Sequence, residues 1–393
     1  MIPHPDKHIT FHPFADGGVL HRTGSHRLWV LNVTAATLWC LIDGRSDDDG
    51  LARDYGARFG IDHNTARQDV TTLLAQFSQW GLLNGGASAE PRGDTVGNPL
   101  EPLQVEKRLS EDISGLPRIA FTLAGHCFAV TFSDTAMAAN WKALFSHIAR
   151  DEPPDGVGTE LAVLAQEANE GKCFYCYENG ITSEGGLARN QVVPFLIYKL
   201  FEHRMAGLNH RLLFHAAVVA RDGQAMLLPA QSGSGKSTLS AALAASGWTY
   251  LSDELALVDP AALCVEPFAL PIGLKDKSMA ALAPFIPDVI NLARHIRIDD
   301  IGVRYLAAPK VLTNDCLPIK ALVYPRYSNN ASTQLTELPP LDSLAVLATT
   351  GSSARPLISS DVQAMLKMAS LPSSRLEFSD LSQAVHLLND LDI

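Results

Sequence analysis

The 393-residue sequence has no apolar run approaching the roughly eighteen residues of a membrane-spanning helix, and its start, Met-Ile-Pro-His-Pro-Asp, lacks the basic and apolar regions of a signal peptide. A soluble, cytoplasmic protein with no membrane partner is the default expectation. Positive charge is also short. With 31 Lys and Arg against 42 Asp and Glu, the formal net charge of −11 leaves little to neutralise a phosphate backbone, so nucleic acid is not expected as a partner. Six cysteines are scattered along the chain. Cys173 and Cys176, in Lys-Cys-Phe-Tyr-Cys-Tyr-Glu, have no second pair at zinc-ligand spacing, and that stretch alternates like a strand, so plain sheet residues are expected there. No internal repeat is visible. The hydrophobic fraction of 47% is globular, and the length allows two or three domains.

What is present is concentrated in residues 230–238, Ala-Gln-Ser-Gly-Ser-Gly-Lys-Ser-Thr. This phosphate-loop pattern follows the apolar run Ala225-Met226-Leu227-Leu228 and opens the helical pattern Leu239 to Ala245. Gly233 and Gly235 let backbone N–H groups approach a triphosphate, and Ser232, Ser234 and Thr238 complete the cradle at a helix N-terminus. Lys236 is expected on the β- and γ-phosphates and the Ser237 hydroxyl on Mg²⁺, which makes ATP and Mg²⁺ the expected ligands. The usual first glycine is Ala230, so the strand-to-loop turn must there use angles that a β-carbon allows.

Composition divides the chain into zones. Residues 1–84 hold strand-like pieces at Gly18–His21 and His26–Leu31, then three helical patterns: one capped by Asn32 or Thr34 and ended by Gly44, then Asp47–Phe59 and His63–Leu83. Residues 85–117, rich in Gly and Pro, read as a linker. Residues 118–190 form a strand-rich lobe with one helix near 136–150, and residues 191–393 carry a helix, a hairpin, the phosphate loop and an αβ tail. The hairpin joins strands at 211–220 and 225–228 through Arg221-Asp222-Gly223-Gln224, whose Asp-Gly favours a tight turn. The strand feeding the loop should thus pair antiparallel with the one just before it, unlike a Ras- or RecA-type sheet.

Several side chains near the loop can carry chemistry. Asp253 and Glu254 interrupt the strand pattern Trp248 to Val258, where an acid can hold Mg²⁺ or accept a proton from a hydroxyl. His215, flanked by Phe214 and Ala216, reads by itself as a core histidine. Lys275 and Arg326 each end an apolar strand downstream, where a cation could neutralise a transferring phosphoryl group.

The pieces Phe-His-Ala-Ala-Val-Val, Pro-Ala-Gln-Ser-Gly-Ser-Gly-Lys-Ser-Thr and Leu-Ser-Asp-Glu-Leu, between Leu212 and Val258, resemble the HPr kinase/phosphorylase group, whose nucleotide domain is similar to that of phosphoenolpyruvate carboxykinase. Leu-Pro-Ile-Gly-Leu-Lys at 270–275 and Tyr-Pro-Arg-Tyr at 324–327 are similar to motifs of the HPr-related kinase branch. The resemblance implies an α/β fold with a phosphate-loop nucleotide domain and a small β-rich lobe. It makes Asp253 the base that takes a serine hydroxyl proton, His215 its neighbour, and Ser237, Asp253 and Glu254 the Mg²⁺ side of the site. The bifunctional members carry a Glu-Ile-Arg-Gly motif that is not found here, so kinase activity alone is the expectation.

In the first zone, Leu31-Asn32-Val33-Thr34-Ala35-Ala36-Thr37-Leu38-Trp39, Leu41-Ile42-Asp43-Gly44 and Gly81-Leu82-Leu83 resemble the PqqD family, a winged-helix-like α+β module that binds leader peptides of ribosomally made, modified peptides. Such modules take a peptide as an added edge strand, and the segment Gly18 to Leu31 is the candidate edge. The combined expectation is an ATP-dependent kinase acting on a Ser/Thr hydroxyl of a peptide or small protein delivered by the first domain. Two alternatives stand beside it: a nucleotide-gated peptide chaperone that transfers nothing, and a small-molecule kinase with a regulatory N-terminal domain. Related kinases often form oligomers, and the sequence leaves the oligomeric state open.

Overall fold

The computed structural model of the chain describes residues 3–83, 109, 112–150, 156–168, 171–208, 211–309, 316–352 and 355–392. Residues 84–108 and 110–111, most of the expected linker, lie outside the described residues. The fold is mixed α/β and divides into two compact units.

The first unit combines the N-terminal segment with residues 339–349 and 355–370. Its N-terminal part is a three-stranded antiparallel sheet, Ile9–Phe14, Gly17–Arg22 and Leu28–Leu31, followed by the helices Val33–Leu41, Asp48–Phe59 and His63–Gln79. The side chains of Asn32, Asp47 and Asp62 cap these helices by accepting from backbone N–H groups that would otherwise be unpaired. Their apolar faces close over one core, where Trp39 and Phe77 meet edge to face at 5.4 Å. The expected edge, Gly18 to Leu31, narrows to its last strand: Leu28–Leu31 is an edge, whereas Gly17–Arg22 is the central strand, paired on both sides, and the other edge is Ile9–Phe14. The strand Ile9–Phe14 escaped the sequence reading because His12 and Pro13 break its alternation.

A continuous 191–393 domain is likewise revised. The helix Ser359–Ala369 belongs to the first unit, where the Gln363 amide donates to His12 Nδ1 at 3.0 Å and the Leu357 N–H to the Ser25 carbonyl at 3.2 Å. Asp361, fully buried, caps this helix by accepting from the Ile358 N–H and takes a bidentate pair from Arg355 at 2.6 and 3.1 Å. Arg355→Ala would strand a buried carboxylate. We expect a loss of about 2 kcal/mol, held below the fully buried value because the arginine is partly exposed. Hydrogen exchange should then quicken in residues 9–22. Unchanged protection there would show that the helix does not support the sheet.

The second unit contains the β-rich lobe and the glycine-containing loop at 230–238. All six strands of the lobe sheet fall within the expected 118–190 boundary, with the helix Thr135–Leu144 and the rings of Phe121, Phe128, Trp141 and Phe145 filling its core. Cys173 and Cys176 sit three apart on the strand Gly171–Glu178, which directs them to opposite faces. Cys176 is buried and its thiol is pushed up to about 12, chiefly by desolvation, so it is an inert sheet residue. In the larger sheet, Gln224–Pro229 pairs antiparallel with Ala216–Arg221 and parallel with Leu317–Tyr327, which in turn pairs parallel with Ser373–Phe378. Asp222 and Gly223 both adopt positive φ, 51° and 77°, as the tight turn predicted from Asp-Gly requires.

Two features of this sheet depart from expectation. The strand expected over 211–220 is broken at His215 into Leu212–Phe214 and Ala216–Arg221, and the two pieces pair with different partners. The scattered cysteines include a disulfide, Cys264–Cys316, with Cα atoms 5.5 Å apart, that ties Cys264–Glu266 to the start of Leu317–Tyr327. Among the described residues no helix is long and apolar enough to cross a membrane.

Candidate functional site

The loop at 230–238 takes its shape from its glycines. Gly233 and Gly235 have φ of 88° and 95°, angles that L-residues avoid, and Ala230 is not among the positive-φ residues, so its β-carbon is accommodated without strain. A β-carbon at Gly235 would also stand 3.0 Å from the Phe378 ring. Phe378 meets Tyr327 at 5.6 Å between ring centres, and the Tyr327 N–H donates to the Ser234 carbonyl at 3.1 Å, so the end of Leu317–Tyr327 braces the loop. Beyond it runs the helix Lys236–Ala245, anchored by Thr238 Oγ1 donating to Ser278 Oγ at 2.8 Å.

Lys236 is 5% exposed, and its ammonium donates to the carbonyls of Ala230 at 2.7 Å and Gln231 at 3.1 Å. Desolvation lowers its pKa to about 8, with Glu254 and Asp253 opposing that fall and Lys275 adding to it. Those pairings place Lys275, at the end of Ile272–Lys275, within electrostatic reach of the loop.

Asp253, also 5% exposed, lies just past the strand Thr249–Ser252, where the chain bends before Ala256–Asp259. Burial raises its pKa to about 6, the neighbouring charge of Glu254 adds to the rise, and three donors moderate it: Tyr250 Oη at 2.7 Å, the Ser237 hydroxyl and the Gly273 N–H. The carboxylate is therefore poised rather than permanently charged.

His215 stands where the strand breaks. Its backbone is fixed by donation to the Thr350 carbonyl and by acceptance from the Ala230 N–H, and its Nε2 lies 3.6 Å from Glu254 Oε1. Burial and then the Lys236 charge lower its pKa, against Glu254, so the ring is neutral at pH 7 and the contact is not an ion pair. The structure thus gathers His215, Lys236, Ser237, Asp253, Glu254 and Lys275. Arg326 directly precedes Tyr327, which bonds the loop, and its side chain is 72% exposed and faces Glu377 at 3.7 Å.

The donor set fits a nucleotide with a hard cation. Ser234 Oγ is buried without a hydrogen-bond partner, no atom lies within 4 Å of a β-carbon built on Gly233, and Ser237 and Asp253 offer adjacent oxygens. Mg²⁺ commonly takes only one or two protein oxygens beside phosphate and water, and among the described residues no cluster of three His, Cys, Asp or Glu could hold a metal by itself. Tyr250, Gly273 and Tyr327 were missed in the sequence. Gly273 and Tyr327 lie inside the motif pieces at 270–275 and 324–327, and Tyr250 left a trace as a hydroxyl that a buried strand position must satisfy.

Residues 191–268, which contain the loop, His215 and the acid pair, match the family described as SynChlorMet cassette protein ScmC. Residues 17–83 match the family described as Coenzyme PQQ synthesis protein D (PqqD). The chain thus carries a PqqD-like domain near its N-terminus and a ScmC cassette domain further on. No curated protein matches the chain.

Proposed function

We propose that the chain is an ATP-dependent kinase of the HPr-kinase kind that phosphorylates a Ser or Thr hydroxyl of a peptide or small protein held by its PqqD-like domain. PqqD-like domains bind peptide substrates in the making of ribosomal peptides, which ties the chain to peptide modification. The observation that carries the kinase reading is Asp253, a buried carboxylate bonded to the Ser237 hydroxyl on the first turn of the loop helix and raised to about 6. When bound, ATP supplies the γ-phosphoryl group and Mg²⁺ neutralises its charge. Lys236 and Lys275 would neutralise further phosphate charge, and Ser237 with Asp253 or Glu254 would hold the cation side. Asp253 takes the acceptor hydroxyl's proton as the oxygen–phosphorus bond forms and the bond to the β–γ bridging oxygen breaks. His215 positions the site beside Glu254.

The test is transfer of γ-labelled phosphate from ATP to a candidate peptide. With the activity in hand, kcat/KM should rise with pH through about 6, as Asp253 loses the proton that blocks it as a base. It should fall again through about 8, as Lys236 loses its charge. A protein that binds ATP and peptide but labels no acceptor would instead be a nucleotide-gated binder, and a flat profile between pH 5 and 7 would remove Asp253 as the base.

A further inference from the structure

The strand that braces the loop at 230–238 also carries an exposed ring. Leu317–Tyr327 runs parallel to Gln224–Pro229, whose end leads into the loop, and to Ser373–Phe378 on its other side. Leu322 is level with Leu227, so the longer strand continues past Pro229 to the height of the loop. The loop, Tyr327 and Phe378 thus stand together at the carboxyl ends of three parallel neighbours, and α/β sheets bind their ligands just outside such ends.

Tyr327 is fixed there by two neighbours. Its N–H donates to the Ser234 carbonyl at 3.1 Å, and its Cβ is 3.5 Å from where a β-carbon on Gly235 would stand. Its ring meets the buried Phe378 ring at 5.6 Å between centres, with 69° between the planes. The bracing bond uses a backbone N–H that every residue except proline has, so it does not call for an aromatic side chain. The ring nonetheless stays 47% exposed. Held edge to face by Phe378, it presents an open flat face, in a settled orientation, at the rim of the loop.

We propose that Tyr327 is the platform on which the base of a nucleotide stacks when the phosphates lie in the loop at 230–238. The inference rests on the nucleotide reading above and adds the base to it. Every base has a π-face, so stacking favours a nucleotide over bare phosphate without choosing among bases.

The test uses the full chain with Mg²⁺ and titrates ATP and tripolyphosphate, which has the phosphate chain and no base, by calorimetry. Tyr327→Ala should weaken ATP binding about twentyfold, the scale of one stacked base, and leave tripolyphosphate within about twofold, which also reports that the loop keeps its form. Tyr327→Trp should recover the ATP affinity. Its added emission, read against the unsubstituted protein, should be quenched by ATP and not by tripolyphosphate. If Tyr327→Ala leaves ATP binding unchanged or weakens both ligands alike, or if the Tyr327→Trp emission does not respond to ATP, the platform is overturned while the nucleotide reading stands. If neither ligand binds the unsubstituted protein, the nucleotide reading fails and the platform with it.

Discussion

Asp253→Asn should lower the phosphoryl-transfer rate by about a thousandfold while ATP affinity stays within about threefold, the scale of effect expected when a positioned general base is removed. The isosteric amide keeps an oxygen for the donors Tyr250 Oη, the Ser237 hydroxyl and the Gly273 N–H, so the loop geometry should survive. It cannot take a proton, and the rise of kcat/KM through about pH 6 should vanish with it. Raising Mg²⁺ separates the two roles open to this carboxylate. Failure of the metal to restore transfer is the expected result for a base, whereas rescue would make Asp253 chiefly a cation ligand. Residual transfer within tenfold of the unsubstituted protein would sink the assignment.

Cys316→Ser should cost about 4 kcal/mol under oxidising conditions, the chain-entropy value for cross-linking positions 52 residues apart. The cost falls on the sheet that carries the loop, because Cys264–Glu266 pairs with Leu317–Tyr327, the strand whose far end braces Ser234 through the Tyr327 N–H. Denaturant unfolding with and without a reductant checks this. The unsubstituted protein should lose that increment when reduced, and the variant should not respond. Disulfides persist mainly in oxidising compartments, so in a reducing cytoplasm the same protein would work with its thiols open and its stability lower. Equal stability in all four measurements would mean that the bond contributes nothing.

Much of the site was legible because it is local. The spacing of Gly233, Gly235, Lys236 and Ser237 dictates a loop with two left-handed residues entering a helix, and the structure has both at positive φ with the helix beginning at Lys236. Asp222-Gly223 dictated the turn and Asn32 the start of the first helix, through bonds that span three residues or fewer, whereas the caps Asp47 and Asp62 emerged only in the structure. Asp253 could be named from its place at a strand end, but not its pKa. That depends on burial and on Glu254, moderated by donors that include Gly273, twenty positions along the chain.

Other features had no local signature. The break at His215 follows from two pieces of one apolar run finding different sheet partners, which composition does not distinguish. The membership of 355–370 in the first unit rests on Arg355 neutralising a fully buried Asp361 and on Gln363 reaching His12, 351 positions away. A deletion of residues 1–84 would therefore strip partners from that helix as well.

The residue pattern alone was enough for the left-handed glycines of the 230–238 loop, the hairpin that feeds it and the helices of the first domain, because backbone angles and short-range hydrogen bonds answer to neighbours a few positions away. The charge states of Asp253 and Lys236, the Cys264–Cys316 link and the make-up of each unit came from the folded chain, because desolvation and pairing depend on which distant segments exclude water from a given atom.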